Sequence, residues 1–213
     1  MSTPLDSIQV LLTGYRDRAL ADAMPDRCRA MVVIQAGLGL RIGELLALRL
    51  QDVDFARRTV RIEWQFAPQS KIRSEPKNPR SKRLLPLPQV VVDALEVHIG
   101  KFPPLGDGTL FWNRQGAPFR HDWYGTVLFR PAVAKAGLPI GTTSHDLRLH
   151  YAAVLLEAGQ SIATVADRLG HSNPGVTLKT YSHMLGNTDD QSRKAVDDAW
   201  RADDGSPSVG VAA

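Results

Sequence analysis

The 213-residue sequence contains a single cysteine, Cys28, and only 7% aromatic residues. One cysteine excludes an intramolecular disulfide and a zinc site built from several thiolates, and we expect Cys28 to be a small apolar group within a helix. The sequence has no apolar run of transmembrane length and no secretory leader, so we expect a soluble, cytoplasmic protein. It also has no internal repeat and no glycine-rich loop that would cradle phosphates.

The charge is distributed unevenly along the chain. Twenty-six basic residues against 22 acidic ones give a net charge of +4. Six aspartates and three basic residues in 185–213 give that segment a charge of −3, which leaves +7 on the rest of the chain. A body with this charge suits a polyanionic partner such as nucleic acid.

The most informative stretch is 142–183, where cap and stop residues predict three short helices. The first runs over about 145–157, and His171 lies in the turn between the second and the third. The predicted caps and stops are, in chain order, Ser144, Gly159, Ser161, Gly170 and either Ser172 or Asn173, with Pro174 in the first turn of the third helix. Serine and asparagine cap free N–H groups, and glycine adopts the left-handed conformation that ends a helix. The short helices therefore bring polar residues from adjoining elements together.

Four polar side chains on this frame suit chemistry at a phosphate. His145 and Arg148 are three residues apart and share one helix face, while Tyr181 lies, partly exposed, about two turns into the third helix. Arginine pairs with phosphate oxygens, histidine hydrogen-bonds or moves a proton, and tyrosine acts as a covalent nucleophile. Each residue taken alone is more often structural. Together with His171 they suit phosphoryl transfer to a phenol without a metal.

The N-terminal part adds a second arginine in a phosphate-binding position. We expect two helices here, the first over 5–22 and the second interrupted by Gly37 and Gly39. Arg41 follows at the start of a third helix, where free N–H groups and the helix dipole favour a phosphate. Glu44 is placed to orient Arg41 by a hydrogen bond, and the structural alternative is a weak surface ion pair.

Residues 59–87 predict a small antiparallel sheet with a basic hairpin in its middle. Val60, Ile62 and Trp64 alternate along a first strand, whereas prolines within 71–83 exclude a regular central strand there. The basic residues of this hairpin that we expect to contact a DNA backbone are Lys71, Arg73, Arg80, Lys82 and Arg83. The structural alternative is a hairpin that is only solvated.

Helices dominate the rest of the chain. They are predicted over about 89–99, over 121–135 with a kink or break near Pro131, and over 189–201. Val196 and Trp200 share the apolar face of the last helix, and residues from Asp203 onward have a composition typical of disorder.

The chain contains, in this order, the motifs GLRIGELLALRLQDVDF, PKNPRSKRLLPLP, HDLRLHYA and LGHSNPGVTLKTY. Four separated motifs in this order resemble the catalytic domain of the tyrosine recombinases, and most closely the bacteriophage integrases. The resemblance implies a mainly helical fold with a small antiparallel β-sheet (α+β). It divides the chain into a catalytic domain at 1–185, a C-terminal helix at 186–202 and a disordered tail at 203–213.

The resemblance also implies a role for each residue of the candidate site. In the first half of the chain, the family's first arginine corresponds to Arg41, its supporting carboxylate to Glu44 and its sheet lysine to Lys77, with Lys82 as the less favoured choice. In the second half, the His-x-x-Arg box corresponds to His145 and Arg148, the LGH histidine to His171 and the nucleophile to Tyr181. Family members often have a histidine directly after the second arginine, whereas here Leu149 stands there and His150 follows. This departure affects a supporting contact rather than the main chemistry.

The function implied by the resemblance is site-specific DNA recombination and integration through a 3′-phosphotyrosyl intermediate, without metal, ATP or another cofactor. The expected partners are double-stranded DNA with an attachment-site core, inside a bacterial host cell, and further copies of the chain in a tetramer on that DNA. Without DNA we expect a monomer. Accessory DNA-bending or directionality factors are further candidate partners. These integrases usually carry a core-binding domain ahead of the catalytic domain, whereas this chain starts almost at the catalytic domain.

Three alternatives stay open. A type IB topoisomerase shares the chemistry but only relaxes DNA, and a non-catalytic DNA-binding regulator would use the fold alone. A metal-dependent hydrolase would use the four histidines at 145, 150, 171 and 183, although no His-x-x-x-His pair lies on one helix. For the C-terminal helix, the two interpretations are packing on its own domain and docking on a neighbouring protomer.

Overall fold

The computed structural model of the chain describes residues 14–70, 72–181 and 189–202. Within these ranges the helices are α1 (Gly14–Ala23), α2 (Asp26–Leu38), α3 (Ile42–Leu46), α4 (Gln89–Lys101), α5 (His121–Trp123), α6 (Arg130–Lys135), α7 (Ser144–Glu157), α8 (Ile162–Leu169), α9 (Pro174–Tyr181) and α10 (Asp189–Ala202). The predicted helix segment at 5–13 and the predicted disorder from Asp203 fall outside the described residues. None of the helices in the described ranges is both long and apolar enough to cross a membrane.

The strands form two small antiparallel sheets. The strands are β1 (Val53–Asp54), β2 (Thr59–Ile62), β3 (Gln65–Phe66), β4 (Arg73–Ser74) and β5 (Arg83–Pro86). The first sheet has the order β1-β2-β5, and the second pairs β3 with β4. In β2, Val60 and Ile62 are buried and Arg61 between them is exposed. The predicted alternation is therefore confirmed for Val60 and Ile62, whereas Trp64 lies beyond the end of β2 and is half-buried. The fold class, mainly helical with a small antiparallel sheet, is also confirmed.

Two details of the sheet differ from the prediction. The strand expected over 59–65 is divided, because β2 ends at Ile62 and β3 begins at Gln65 with a new partner strand. A short strand that was not predicted, β1, follows α3 after a 3₁₀ turn at Leu50–Asp52. Both differences arise from strand pairing, of β3 with β4 and of β1 with β2, which the alternation within a single strand does not encode.

The core consists of a large cluster and a small one. The large cluster fills the space between α1–α4, the sheet and α7, and it includes Leu147. The small cluster contains Tyr151, Ala152, Leu169 and Tyr181. Since Leu147 and Tyr151 are one turn apart on α7, this helix joins the two clusters and connects α8 and α9 to the rest of the fold.

The helix ends agree with the prediction at most positions. Gly39 (φ 63°) ends α2 and Gly170 (φ 68°) ends α8, both in the left-handed conformation. Ser161 accepts from the backbone N–H of Thr164 and caps α8. The side chain of Asn173 accepts from the N–H of Gly175 at the start of α9, which selects Asn173 over Ser172.

The cap of α7 is Thr143 and not the predicted Ser144. The carboxylate of Asp146 accepts from the backbone N–H of Thr143 at 2.6 Å and from its hydroxyl at 2.8 Å. This reciprocal capping box places Ser144 inside the first turn. His145 is therefore the second residue of the helix.

The helix predicted over 121–135 is irregular, as expected from Pro131. A π-helical stretch, Tyr124–Phe129, connects α5 to α6. Pro131 has no N–H to donate to the preceding turn, so the regular hydrogen-bond ladder cannot continue through it. The last predicted helix is present as α10, and its Val196 and Trp200 are 57% and 77% exposed.

Candidate active site

Arg41 is held at the start of α3 by Glu44. Its backbone N–H donates to Glu44 Oε2 and its Nη1 donates to Glu44 Oε1, both at 2.9 Å. The Arg41 side chain is 39% exposed whereas that of Glu44 is 1% exposed. The predicted orientation of Arg41 by Glu44 is present, and the pair is a fixed, half-buried one rather than a weak surface ion pair.

Glu44 also binds Arg83, a residue expected to contact a DNA backbone. Arg83 Nη2 and Nη1 donate to Glu44 Oε2 and Oε1 at 2.8 and 3.1 Å, and the Arg83 side chain is 4% exposed. Burial by itself would raise the pKa of Glu44, but the hydrogen bonds from Arg83 and the charges of Arg83 and Arg41 outweigh burial and lower it. Glu44 is therefore an ionised carboxylate shared by two guanidinium groups.

Arg148 is a buried arginine on α7, with 2% of its surface exposed. Its Nη1 donates to the carbonyl of Gly39 and its Nη2 to the carbonyl of Leu169, both at 2.6 Å. Burial, together with the positive charge of Arg41, lowers the pKa of Arg148 to about 9. The group still carries its charge at neutral pH, and it joins the end of α2 to the end of α8.

Three consecutive carbonyl groups at the C-terminal end of α8 bind three arginines. Arg83 Nε donates to the carbonyl of residue 168 at 2.8 Å, Arg148 to that of residue 169, and Arg41 Nη2 to that of residue 170 at 3.2 Å. The last carbonyls of a helix lack intrahelical partners and carry the negative end of the helix dipole. This end of α8 therefore stabilises a cluster of positive charge directly beside His171.

His145 and His171 both lie within the electrostatic reach of this cluster. Burial and the charge of Arg148 lower the pKa of His145. Burial, followed by the charges of Arg148 and Arg41, lowers the pKa of His171 to about 4. Both imidazoles are consequently neutral at pH 7 in the free chain, and each has one nitrogen that can accept a proton.

Tyr181 ends α9 and is buried, with 1% of its surface exposed. It packs in the small core cluster with Tyr151 and Leu169, so the expectation of a partly exposed tyrosine is wrong. Burial raises the pKa of Tyr181 to about 12, and the charge of Arg148 opposes this effect. The ring is covered because the apolar residues of α7 and α8 enclose it, a contact that no local pattern around Tyr181 encodes.

Lys77 lies in the loop between β4 and β5. It is exposed, and no hydrogen bond or ion pair joins it to another described residue. Lys82, the alternative lysine, is engaged in an ion pair with Glu75 at 2.8 Å. Of the two lysines, Lys77 is therefore the one whose ammonium group can move toward a ligand without breaking an ion pair.

The five residues expected to contact a DNA backbone occupy different environments. Arg73 donates to Ala47, Asp107 and Thr109 within the protein, and Lys71 lies outside the described residues. Arg80 is exposed although its Nη1 donates to the carbonyl of Ser172 at 2.7 Å.

Arg83 requires a correction. Its bonds to Glu44, to the carbonyl of Arg168 and to the carbonyl of Ser81 use four of its five N–H groups, so Arg83 is not placed to contact a DNA phosphate. The signal was present in the strand: Leu85 is buried and Leu84 exposed, and Arg83, two residues before Leu85, shares the inward face.

His150 points away from the arginine cluster toward α1. Its Nε2 lies 2.9 Å from Asp17 Oδ2, and both side chains are largely buried. Among the described residues, no three His, Cys, Asp or Glu side chains are arranged to hold a metal ion. His183 lies outside those residues, so the four-histidine set is only partly described.

Comparison with known proteins agrees with this arrangement. The model of the phage integrase family matches residues 8–187. A "tyrosine recombinase XerC-like" protein of Caldanaerobacter subterraneus is 26% identical over 209 residues, covering 86% of this chain and 53% of its own. A putative prophage phiRv2 integrase of Mycobacterium tuberculosis is 32% identical over 173 residues, covering 77% of this chain and 44% of its own.

A similar fold is found among solved structures. The Tn1549 transposon integrase in complex with circular intermediate DNA superposes with a TM-score of 0.74 at 26% identity, over 86% of this chain and 66% of that one. The XerA recombinase superposes with a TM-score of 0.64 at 24% identity, over 80% of this chain and 57% of that one.

These matches define the class as a tyrosine recombinase catalytic domain. Since the family model spans most of the sequence, the chain belongs to the phage integrase family. It spans about half the length of the curated relatives it matches.

Proposed function

We propose that the chain cleaves and rejoins DNA strands in site-specific recombination, through a covalent 3′-phosphotyrosyl intermediate. The observation that carries this proposal is the convergence of Arg41 and Arg148 on the end of α8. Two guanidinium groups side by side, with His171 in the next turn, suit an oxyanion that gains charge in the transition state. The tyrosine at the end of the following helix supplies the nucleophile.

The first step exchanges one phosphoester bond for another. The Tyr181 hydroxyl oxygen attacks the phosphorus, and its proton passes to the neutral imidazole of His145. The bond from phosphorus to the 5′-oxygen breaks, and Lys77 gives that oxygen a proton. Arg41 and Arg148 bind the non-bridging oxygens, and His171 donates a hydrogen bond to the phosphate.

The second step reverses the first with the 5′-hydroxyl of another strand. That oxygen attacks the phosphotyrosyl phosphorus, and Tyr181 leaves and recovers a proton. The number of phosphoester bonds stays constant, so the reaction needs neither ATP nor, with two arginines at the phosphate, a metal ion.

The packing of Tyr181 requires a movement before attack. A hydroxyl on a side chain that is 1% exposed cannot reach a phosphodiester while α9 keeps this position. Tyr181 packs α9 against the small core cluster, and an element packed on a small cluster is less costly to displace than one in the main core. We infer that binding of DNA, or of a neighbouring protomer, shifts α9.

Assembly on DNA fits the exposed face of α10. Val196 and Trp200 are one turn apart and both lie open to solvent in the single chain. In the proposed tetramer this face docks on a neighbouring protomer, and the free chain is monomeric because one short helix buries too little area for a stable dimer.

Duplex DNA is the proposed substrate, and the integrase bound to circular intermediate DNA supports that choice. A type IB topoisomerase and a DNA-binding regulator remain the alternatives. They differ from the proposed function in measurable ways, because the first exchanges no strands between duplexes and the second forms no adduct.

The test is incubation with nicked suicide substrates that carry candidate attachment-site cores, in the presence of EDTA, followed by denaturing electrophoresis. The expected result is a covalent protein–DNA adduct with the parent and none with Tyr181→Phe. Adduct formation that disappears with EDTA would contradict the metal-independent mechanism. Binding without any adduct on substrates that contain the correct core would favour the regulator.

A further inference from the structure

Arg83 is the one arginine of the three bound to the end of α8 that has no assigned part in the chemistry. We propose that Arg83 is a positioning residue that fastens the Lys77 loop to the His171 turn, so that the proton donor keeps its place relative to the phosphate clamp. This role rests on the proposed function of the site and adds a residue to it.

The contacts of Arg83 join three parts of the site. Its Nη1 and Nη2 bind Glu44, which orients Arg41, and its Nε binds the carbonyl of Arg168 in the last turn of α8. Nη1 also donates to the carbonyl of Ser81 at 2.8 Å, within the segment that leads from Lys77 to β5. A planar guanidinium with several donors in a fixed geometry can hold all three partners at once, which an ammonium group cannot.

Further bonds connect the same two segments. Arg80 Nη1 donates to the carbonyl of Ser172, and Arg168 Nη1 donates to the carbonyl of Leu84 at 3.3 Å. Residues 80–84 are thereby attached to 168–172 from both sides of Arg83.

Gly170 shows how closely these segments approach. A Cβ atom at Gly170 would lie 3.0 Å from Arg83 Nη1 and 3.2 Å from the Cα of Ser81. The glycine is therefore needed for its left-handed conformation and also for the space that Arg83 occupies.

Within the part of the chain that the structure describes, the contacts of the loop that carries Lys77 lie near its ends. The Glu75–Lys82 ion pair closes its base at 2.8 Å, and the side chain of Asn78 caps the 3₁₀ turn Pro79–Ser81. Arg83 is the first buried residue after this turn that binds outside the loop. Loss of its contacts would let the loop shift as a unit while leaving the sheet intact.

The first experiment compares two substrates for the full chain: an ordinary suicide substrate and one with a 5′-phosphorothiolate at the scissile position. The sulfur leaving group needs no proton, so the phosphorothiolate should restore cleavage by Lys77→Ala, which lacks the proton donor. The cleavage that this variant regains is the reference for the other variants. We expect Arg83→Lys to lose roughly 10- to 100-fold in cleavage of ordinary DNA through misplacement, and to regain most of it on the phosphorothiolate. Arg80→Ala, an exposed change that removes the Ser172 bond, should show a smaller loss with the same rescue.

The matched control is Arg61→Lys, since Arg61 is exposed on β2 and pairs across the sheet with Leu84. It should cleave both substrates like the parent. Equal losses of Arg83→Lys on both substrates, or no loss on ordinary DNA, would overturn the proposal. A loss of DNA binding that matches the loss of cleavage would also overturn it and make Arg83 a DNA contact.

The second experiment is independent of cleavage. Amide hydrogen exchange should become faster in Arg83→Lys at both 75–82 and 170–173, and it should remain as in the parent in Arg61→Lys. Unchanged exchange in these segments would overturn the positioning role even where cleavage falls. A parent chain without any covalent adduct would contradict the proposed function, whereas this exchange result would still decide whether Arg83 fastens the loop.

Discussion

Arg41 and Arg148 are bound to adjacent carbonyl groups at the end of one helix. Arg41 Nη2 donates to the carbonyl of Gly170 at 3.2 Å and Arg148 Nη2 to that of Leu169 at 2.6 Å. The two guanidinium groups repel each other because both are positively charged, and the helix dipole together with Glu44 offsets this repulsion. The residual positive potential is already in place before a phosphate arrives, which is the preorganisation that transition-state stabilisation requires.

The two arginines should respond differently to truncation. Arg41→Ala and Arg148→Ala should each slow cleavage by several powers of ten, because each removes roughly 3 to 4 kcal/mol of transition-state stabilisation. Arg148→Ala should in addition lower the free energy of unfolding by roughly 1 to 3 kcal/mol, because it leaves two buried carbonyls without a donor. Single-turnover cleavage, DNA binding and urea unfolding measure these effects. If DNA binding and cleavage fall by the same factor, Arg41 and Arg148 are ordinary contacts to the DNA backbone.

Tyr181→Phe should abolish the covalent adduct and leave the fold nearly unchanged. The aromatic ring and its packing remain, and only one hydroxyl is removed, so stability should change by about 1 kcal/mol or less. Tyr151→Phe, a neighbour in the same cluster, is the matched control and should form the adduct like the parent. Peptide mapping of the adduct checks the assignment, and an adduct on Tyr151 would refute it.

The low pKa of His171 should make folding stability depend on pH. The folded pKa of about 4 lies below the ordinary histidine value of about 6.5. In that window the unfolded chain binds more protons, so the free energy of unfolding should fall as pH drops from about 6.5 toward 4. His171→Gln should reduce this slope because glutamine does not titrate. Denaturant titrations at several pH values measure the free energy of unfolding. Identical pH dependence for parent and variant would show that the pKa of His171 is not shifted.

The exposed face of α10 should be needed for assembly and not for folding. Val196→Ser combined with Trp200→Ser should leave unfolding unchanged, since both side chains are already exposed in the single chain. It should abolish cooperative assembly on paired sites and most recombination. Asp197→Ser, also exposed on α10, is the control and should assemble like the parent. Native gels with paired-site DNA provide the measurement, and full recombination by the double variant would rule out docking through this face.

Local chemistry in the sequence determined where most elements begin and end. Gly39 and Gly170 end helices because glycine adopts a positive φ at little cost, and Ser161 caps α8 because its hydroxyl satisfies a free N–H. Each of the four motifs is likewise a short pattern of residue types, and their resemblance to one family implied the candidate site residues. These features depend on neighbours within a few positions along the chain.

Only the tertiary structure decided which of these residues touch. The burial of Tyr181 depends on α7 and α8 packing around it, and the pair of Arg83 with Glu44 joins residues 39 positions apart. The three arginines at the end of α8 come from α3, β5 and α7, and no local pattern specifies that these elements converge on one set of carbonyls. A buried charge must find its partner wherever the fold places it, so packing decided the contacts of Arg83, while its residue type and strand position follow from the sequence.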